Sequence, residues 1–302
     1  KKILNINKLS WNINKIEIYN ENLNNEKILN FQSKNQKLFS VIKNYELINY
    51  LKKKLIKEKL CKFKKNLIRK NIYEKEYNLI INCDPSNFIT KKFFFKKITK
   101  NYDNYAYTTL IKHSKITNNK AIQIFTSKGP LAFLPVSEFE TSVVYSVKGT
   151  QEINLKDVIR FHNKSYNILK INNSSRFELK MSNLRNYYHG NILAFGDLLH
   201  KIHPLAGQGF NMTLRDIKIL SEVIQRKLNL GLPLDESVND EFEKKSKHIN
   251  FIFSNGIDFI YEFFNFERKT KSKIFSKAVK FLGKNSSLNK RFIKIADNGF
   301  LF

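Results

Sequence analysis

Only two cysteines, Cys61 and Cys83, occur in the 302 residues. Two thiols without a secretory segment do not build a disulfide framework, and they fit a reducing compartment. No run of roughly 18 uncharged apolar residues is present, so no bilayer-spanning segment is predicted and the chain is expected to be soluble or to sit on a membrane surface. Acidic residues are scarce, with 26 Asp and Glu against 54 Lys and Arg and a formal charge of +28. Such an excess raises nucleic acid or an anionic membrane as partner, because it creates a long-range positive field. The lysines nevertheless run from Lys1 to Lys294 alongside abundant asparagine and isoleucine, as an A/T-biased coding sequence would produce. Neither an Arg-Gly-rich element nor a zinc knuckle occurs, so solvated surface is preferred to a nucleic-acid patch. A Gly-x-Gly-x-x-Gly turn between a strand and a helix is missing as well.

What is present is a hydrophobic content of 42%, enough for a sizeable core in one large or two moderate domains. One stretch stands apart from the rest. Ile192, Leu193, Ala194 and Phe195, closed by Gly196, form a short unalternating apolar run that suits a strand covered on both faces. Asp197 then stands at the carboxyl end of that strand, the edge at which open α/β sheets bind ligands. Pro204, Gly207 and Gly209 make a loop that lets backbone approach a ligand closely. Asn211, Met212, Thr213 and Leu214 open a helix whose first amides favour an anion or an electron-rich acceptor.

Gly196-Asp197, His203-Pro204, Gly207-Gln208-Gly209-Phe210-Asn211 and Arg215-Asp216 together resemble the second flavin-binding motif of the FAD-dependent aromatic hydroxylases, the p-hydroxybenzoate hydroxylase-like flavoprotein monooxygenases. Within that group the match is most similar to the ubiquinone-biosynthesis hydroxylases. The resemblance implies a mixed α/β fold: a Rossmann-like FAD-binding domain with an inserted antiparallel-sheet substrate domain and C-terminal helices. That family opens with a strand, a Gly-x-Gly-x-x-Gly turn and a helix. Their absence here leads us to expect a fragment whose FAD domain lacks its first βαβ unit. The implied activity is hydroxylation of the aromatic ring of a polyprenylated ubiquinone precursor through a flavin C4a-hydroperoxide, with NAD(P)H or a small redox protein as electron donor. A hydrophobic aromatic substrate, a quinone-biosynthesis complex, and a cytoplasmic location or a peripheral one on the inner membrane face follow from the same resemblance.

The implied domain order is a substrate-side hairpin over 1–35, part of the FAD domain over 36–87, the substrate sheet over 88–182, and the rest of the FAD domain with the C-terminal helices over 183–302. Along the chain, strands at 15–19 and 27–31 are expected to form the hairpin. A strand at 40–42 leads into a helix with Asn44 as N-cap and Leu47, Leu51 and Leu55 on one face. A buried strand over 77–83 ends at Asp84, which matches the place of the family's Asp-Gly motif. Here Pro85 follows instead of glycine, so the positive φ and free N–H of a glycine are lost, although Asp84 can still accept from a cofactor or cap the next turn. Strands over 105–111, 121–125, 131–134 and 142–147 make an antiparallel sheet, with the 129–135 segment resembling the one that roofs the flavin ring. A helix is expected over 155–169.

Past the motif, Ile217, Leu220, Ile224 and Leu228 share a face of a helix that stops at Gly231, with Pro233 just beyond. A long helix follows over 240–264, with Ile249, Ile252 and Phe253 among its packing positions. Shorter helices are expected over 272–282 and 288–296.

In the implied site Asp197 accepts from the ribityl chain or lies by the pyrophosphate. The Gly207 to Asn211 backbone faces the pyrimidine edge of the ring, and Pro204 walls the ring. His200 and His203 invite a metal reading, but no cysteine or third acidic ligand lies at zinc-like spacing beside them, so no metal is expected. The alternatives are another flavin oxidoreductase, a hydroxylase of a soluble phenol, or a basic nucleic-acid-binding relative without catalysis.

Overall fold

The computed structural model describes residues 9–21, 26–32, 37–64, 77–202 and 208–270. Among these, residues up to 64 with 103–178 and 265–270 form one compact unit, and 77–102 with 179–264 form the other.

The first unit is built on antiparallel strands. β2 (Lys15–Asn20) and β3 (Glu26–Gln32) make the expected hairpin, with Ile16 opposite Phe31 and Ile18 opposite Leu29. β2 also runs parallel to β7 (Lys120–Phe125), and the ladder continues through β8 (Pro130–Pro135) and β9 (Glu140–Lys148) to β6 (Lys97–His113). Alternation decides the buried face, because successive side chains point to opposite sides of a strand. Leu131 and Phe133, then Val143, Tyr145 and Val147, are all buried and pack with Tyr107, Ile111, Ile122 and Ile124. Leu155 and Ile159 of α3 (Leu155–His162) lie over that face.

Helix α3 is shorter than the 155–169 expected. Asn163 ends it: its side chain accepts from the Ser165 and Tyr166 amides and donates to the Tyr166 carbonyl, closing a turn that feeds β10 (Ile168–Ile171) onto β6. β1 (Ser10–Ile13) pairs β4 (Phe39–Ile42), and α1 (Asn44–Lys57) follows. Lys43, not Asn44, occupies its N-cap and makes no side-chain cap bond; Asn44 is already helical. Leu47 is buried on α1, whereas Leu55 is exposed.

The second unit holds a three-stranded sheet. β12 (Tyr188–His189) pairs antiparallel with β13 (Ile192–Ala194), which pairs parallel with β5 (Ile80–Asn82). β5 is shorter than the 77–83 run expected. α2 (Phe88–Phe93) is capped by Asn87, which accepts from the Thr90 amide. β11 (Ser175–Leu184) pairs with β14 (His200–Lys201) at Ser182–Lys201 and Asn183–His200. Ile192, Leu193, Phe195, Leu198 and Leu199 form one core with Leu220, Val223, Val238 and Phe242. Each fully buried side chain of this size contributes about 1.5–3 kcal/mol relative to exposure.

α4 (Gln208–Asn229) stops before Gly231, whose φ is +64, as its sequence foretold. Its buried positions are Met212, Asp216, Leu220, Val223 and Lys227. The expected stripe is thereby rotated: Ile217 and Ile224 pack half-buried at the rim of the core and Leu228 is exposed. α5 runs over Glu236–Thr270, longer than the 240–264 expected. Its buried positions include Val238, Phe242, Ser246, Asn250 and Ser254, while Ile252 is exposed and Ile249 and Phe253 are half-buried. The helices expected over 272–282 and 288–296 lie outside the described residues. Among the described residues, no helix is long and apolar enough to cross a membrane.

Candidate functional site

β13 is buried along its whole length, and Phe195 continues it in extended backbone. Gly196 then takes a φ of +64, a left-handed conformation that costs a glycine little, and a 3-10 turn runs over Gly196–Leu198. Leu198, the last residue of this turn, and Leu199 just after it drive into the core, and Asp197 is left exposed between them and the strand. Burial of its neighbours thus sets the outward direction of the carboxylate.

A second carboxylate reaches the same edge from β5. The parallel register places Ala194 opposite Asn82, so Asp197 stands three residues beyond that rung and Asp84 two. Asp84 Oδ1 accepts from the Ser86 amide and hydroxyl, each at 2.7 Å. These two bonds, with the Asn87 amide, hold its carboxyl below the usual carboxylate range against a small opposing effect of burial.

The loop that carries Pro85 in place of glycine has its own scaffold. Asn82 donates to Thr90 Oγ1 at 2.8 Å, Asn87 donates to Asn82 Oδ1 at 2.7 Å, and Thr90 Oγ1 donates to the Asp84 carbonyl at 2.6 Å. Side chains thereby fix a turn that a glycine would otherwise have made.

α4 begins at Gln208, three residues earlier than Asn211. Gly209 lies in its first turn, and Phe210 and Asn211 are exposed there. The first amides of a helix have no acceptor within it and carry the positive end of its dipole. His203, Pro204 and Gly207, and the Gln208 side chain, lie outside the described residues. Of the expected cofactor residues, the structure therefore describes Asp84, Gly196, Asp197, Gly209, Phe210 and Asn211, and it brings the two aspartates to one sheet edge.

His200 faces inward instead of toward a ligand. Its Nε2 lies 2.5 Å from Asp216 Oδ2 with both side chains buried, and Asn250 Nδ2 donates to Asp216 Oδ1 at 3.0 Å. Sequence reasoning noted Asp216 only as part of the motif. The signal that could have found it is spacing: Asp216 sits four residues from Met212 and four from Leu220, on the buried stripe of α4. Nearby, burial pushes the Tyr187 phenol well above its usual range, and the charges of Asp216 and Glu243 add to that against a hydrogen bond with Asn250. Burial lowers the Arg215 guanidinium pKa against the attraction of Asp216, and the group stacks 4.4 Å from the centre of the Phe253 ring. Among the described residues, no group of three or more His, Cys, Asp or Glu is placed to hold a metal ion.

The first unit contains a cavity of about 320 Å³ on the α3 side of its sheet, lined in part by Tyr19, Ile122, Ile124, Phe133, His162 and Tyr166. None of the expected cofactor residues belongs to it.

No protein-family model matches the chain. It is 24% identical over 229 residues to the ubiquinone biosynthesis monooxygenase COQ6 of Danio rerio, covering 60% of this chain and 47% of that protein. It is 27% identical over 153 residues to the 3-demethoxyubiquinol 3-hydroxylase of Escherichia coli strain K12, covering 47% of this chain and 39% of that protein. The chain is a homologue of the ubiquinone-biosynthesis hydroxylases. It spans less than half the length of these two relatives.

Solved structures agree on the fold. The p-nitrophenol 4-monooxygenase PnpA of Pseudomonas putida DLL-E4 matches with a TM-score of 0.74 at 10% identity, over 98% of this chain and 84% of that one. HpxO of Klebsiella pneumoniae, solved with FAD and uric acid, matches with a TM-score of 0.68 at 11% identity, over 96% of this chain and 80% of that one. The fold shared with these two proteins is the mixed α/β one expected from the motif.

Proposed function

We propose that this homologue of the ubiquinone-biosynthesis hydroxylases is an FAD-dependent monooxygenase that hydroxylates the aromatic ring of a polyprenylated quinone precursor. The observation that carries the reading is the pair of exposed carboxylates at one carboxyl edge of the parallel β5–β13 pair, Asp84 just beyond β5 and Asp197 just beyond β13, the strand that precedes α4 in the motif. This donor and acceptor set fits a flavin nucleotide: carboxylates accept from ribityl or ribose hydroxyls, and a helix start favours negative charge.

When bound, FAD supplies the activation of O2 and the transfer of one oxygen atom to the ring. The residues of this chain bind and orient. Asp197 would accept from the ribityl hydroxyls or lie by the pyrophosphate, with Asp84 beside it. The backbone from Gly207 through Gln208, Gly209 and Phe210 to Asn211 would hold the pyrimidine edge, where the α4 start stabilises negative charge. His203 and Pro204 would make the turn that walls the ring and keeps water from the reacting oxygen. Electrons would come from NAD(P)H or a small redox protein, and the substrate would be reached in a quinone-biosynthesis assembly at a membrane surface.

The test is reconstitution of the full-length protein with FAD. Yellow, stoichiometrically loaded protein is expected; protein that stays colourless after reconstitution overturns the proposal. Deletion of the gene should in addition cause a deoxy or demethoxy quinone precursor to accumulate, and a normal quinone profile would exclude that substrate while leaving flavin binding standing.

A further inference from the structure

The cavity of about 320 Å³ in the first unit has apolar walls and one polar side chain left over. Ile122 and Ile124 of β7 and Phe133 of β8 line it from the buried face of the sheet, with Ile122 and Phe133 opposite each other in register. The Tyr19 and Tyr166 rings add to the lining, and the Phe133 and Tyr166 rings lie 6.0 Å apart at 26°. Both phenol hydroxyls are already engaged, Tyr19 donating to Glu17 Oε2 at 3.0 Å and Tyr166 to Asn118 Oδ1 at 3.4 Å. The Asn163 side chain is likewise occupied by the turn after α3. His162, the last residue of α3, is the exception. Its side chain is only 8% exposed, and its Nε2 comes no nearer to Glu21 Oε1 than 4.0 Å, beyond hydrogen-bond reach. Among the described residues no hydrogen bond reaches its ring.

We propose that this cavity binds a small uncharged aromatic molecule bearing a hydroxyl group, its rings against Ile122, Ile124, Phe133 and Tyr166 and its hydroxyl on His162. The volume lies at the lower end of ligand pockets and suits one or two rings, and aromatic walls favour offset and edge contacts with them. Burial, joined by the Lys164 charge against that of Glu21, holds the His162 pKa below its usual range, so the neutral ring offers one donor and one acceptor. A hydroxyl answers either nitrogen. Water is a poor occupant, since it needs roughly two to four polar partners. A carboxylate is poorer: Lys164, the one charged residue of the described lining, is exposed, so an anion drawn in would lose hydration without a buried counter-charge. The site shares no residue with the proposed flavin site and goes beyond the proposed reaction.

Equilibrium dialysis of the full-length protein against 2-naphthol, naphthalene and 2-naphthoate tests the proposal. The three share their rings and differ in hydroxyl and charge. Naphthalene should bind roughly fivefold more weakly than 2-naphthol, the worth of one neutral hydrogen bond, and 2-naphthoate at least roughly tenfold more weakly. His162→Leu should weaken 2-naphthol roughly fivefold and leave naphthalene and the flavin content unchanged. In crystals of the full-length protein the bromine of 6-bromo-2-naphthol, located by anomalous scattering, should lie in this cavity. Lack of saturable 2-naphthol binding below about 1 mM overturns the proposal, as does wild-type affinity in a folded His162→Leu or a bromine found only elsewhere. The bromine position and the naphthol-to-naphthalene ratio decide the matter even if that variant does not fold. Flavin absorbance of the same preparations reports separately on the proposed reaction, so protein that binds 2-naphthol here without flavin fails only that reading.

Discussion

His200 Nε2 lies 2.5 Å from Asp216 Oδ2, and neither side chain reaches solvent. The contact ties β14, just after the Gly196–Leu198 turn, to the third turn of α4. Asn250 of α5 occupies the other carboxylate oxygen. Replacing Asp216 with Ala leaves two buried polar groups without their acceptor, at a cost of about 3–5 kcal/mol. The melting temperature of flavin-free protein should fall by about 10 °C, and by less in Asp216→Asn, which keeps an acceptor oxygen. A melting temperature within about 2 °C of wild type for Asp216→Ala would show that the contact contributes little.

Asp197 is exposed, unlike Asp216, and its removal should separate binding from folding. Asp197→Ala is expected to lower FAD retention while the flavin-free melting curve stays in place. Asp84→Ala should also lower retention, and in addition loosen the turn that Ser86 closes on its carboxylate. Flavin content after purification and a fluorescence titration with FAD measure both; unchanged flavin content in Asp197→Ala would refute the role given to that carboxylate.

Glu17 predicts an acid-sensitive component of stability. Burial raises its carboxyl pKa, but Lys27, Lys15, Tyr19 and Lys120 outweigh burial and bring it from 4.5 to about 2. A folded-state pKa below the unfolded one stabilises the protein above pH 4.5, and that contribution is lost as the pH falls from 4.5 towards 2. The full contribution is about 3 kcal/mol. Denaturant unfolding of wild type and Glu17→Gln should therefore differ at neutral pH and converge as the pH approaches 2. A gap that stays constant over this range would contradict the assignment.

Gly129 predicts a local backbone failure. Its φ is +152, and a Cβ built on it would stand 2.0 Å from the Ser146 carbonyl oxygen, a main-chain atom held in β9. The turn between β7 and β8 cannot relax without breaking the ladder, since Gly129 N–H and C=O both bond to Thr126. Gly129→Ala should cost at least about 2–3 kcal/mol. Soluble expression with an unchanged unfolding midpoint would show that the turn adapts.

Much of this could be read from local pattern. The strands β6 to β9 follow from alternation, and the β13–Gly196–Asp197 segment from an apolar run closed by glycine, because each depends on residues a few positions apart. The end of α3 was not legible in the same way. The apolar residues at 168 and 169 continue a helical period, and only the bonds of the Asn163 side chain to Ser165 and Tyr166, with the pairing of β10 on β6, show that the helix has already ended. The buried face of α4 was misread for a related reason. Periodicity allows either of two adjacent stripes, and the partner on α5 selects the one that contains Asp216.

The sequence by itself determined that a buried strand, a left-handed glycine and an outward carboxylate follow one another at residues 192–197, since chirality and hydrophobic burial act within those few residues. Tertiary structure alone decided that Asp84 joins Asp197 at one edge, because that depends on parallel pairing of two strands distant in the chain. It also decided that His200, Asp216 and Asn250 meet. A polar side chain at an apolar period is stable there only when the segments that pack around it bring its hydrogen-bond partners, and no local pattern encodes which segments those are.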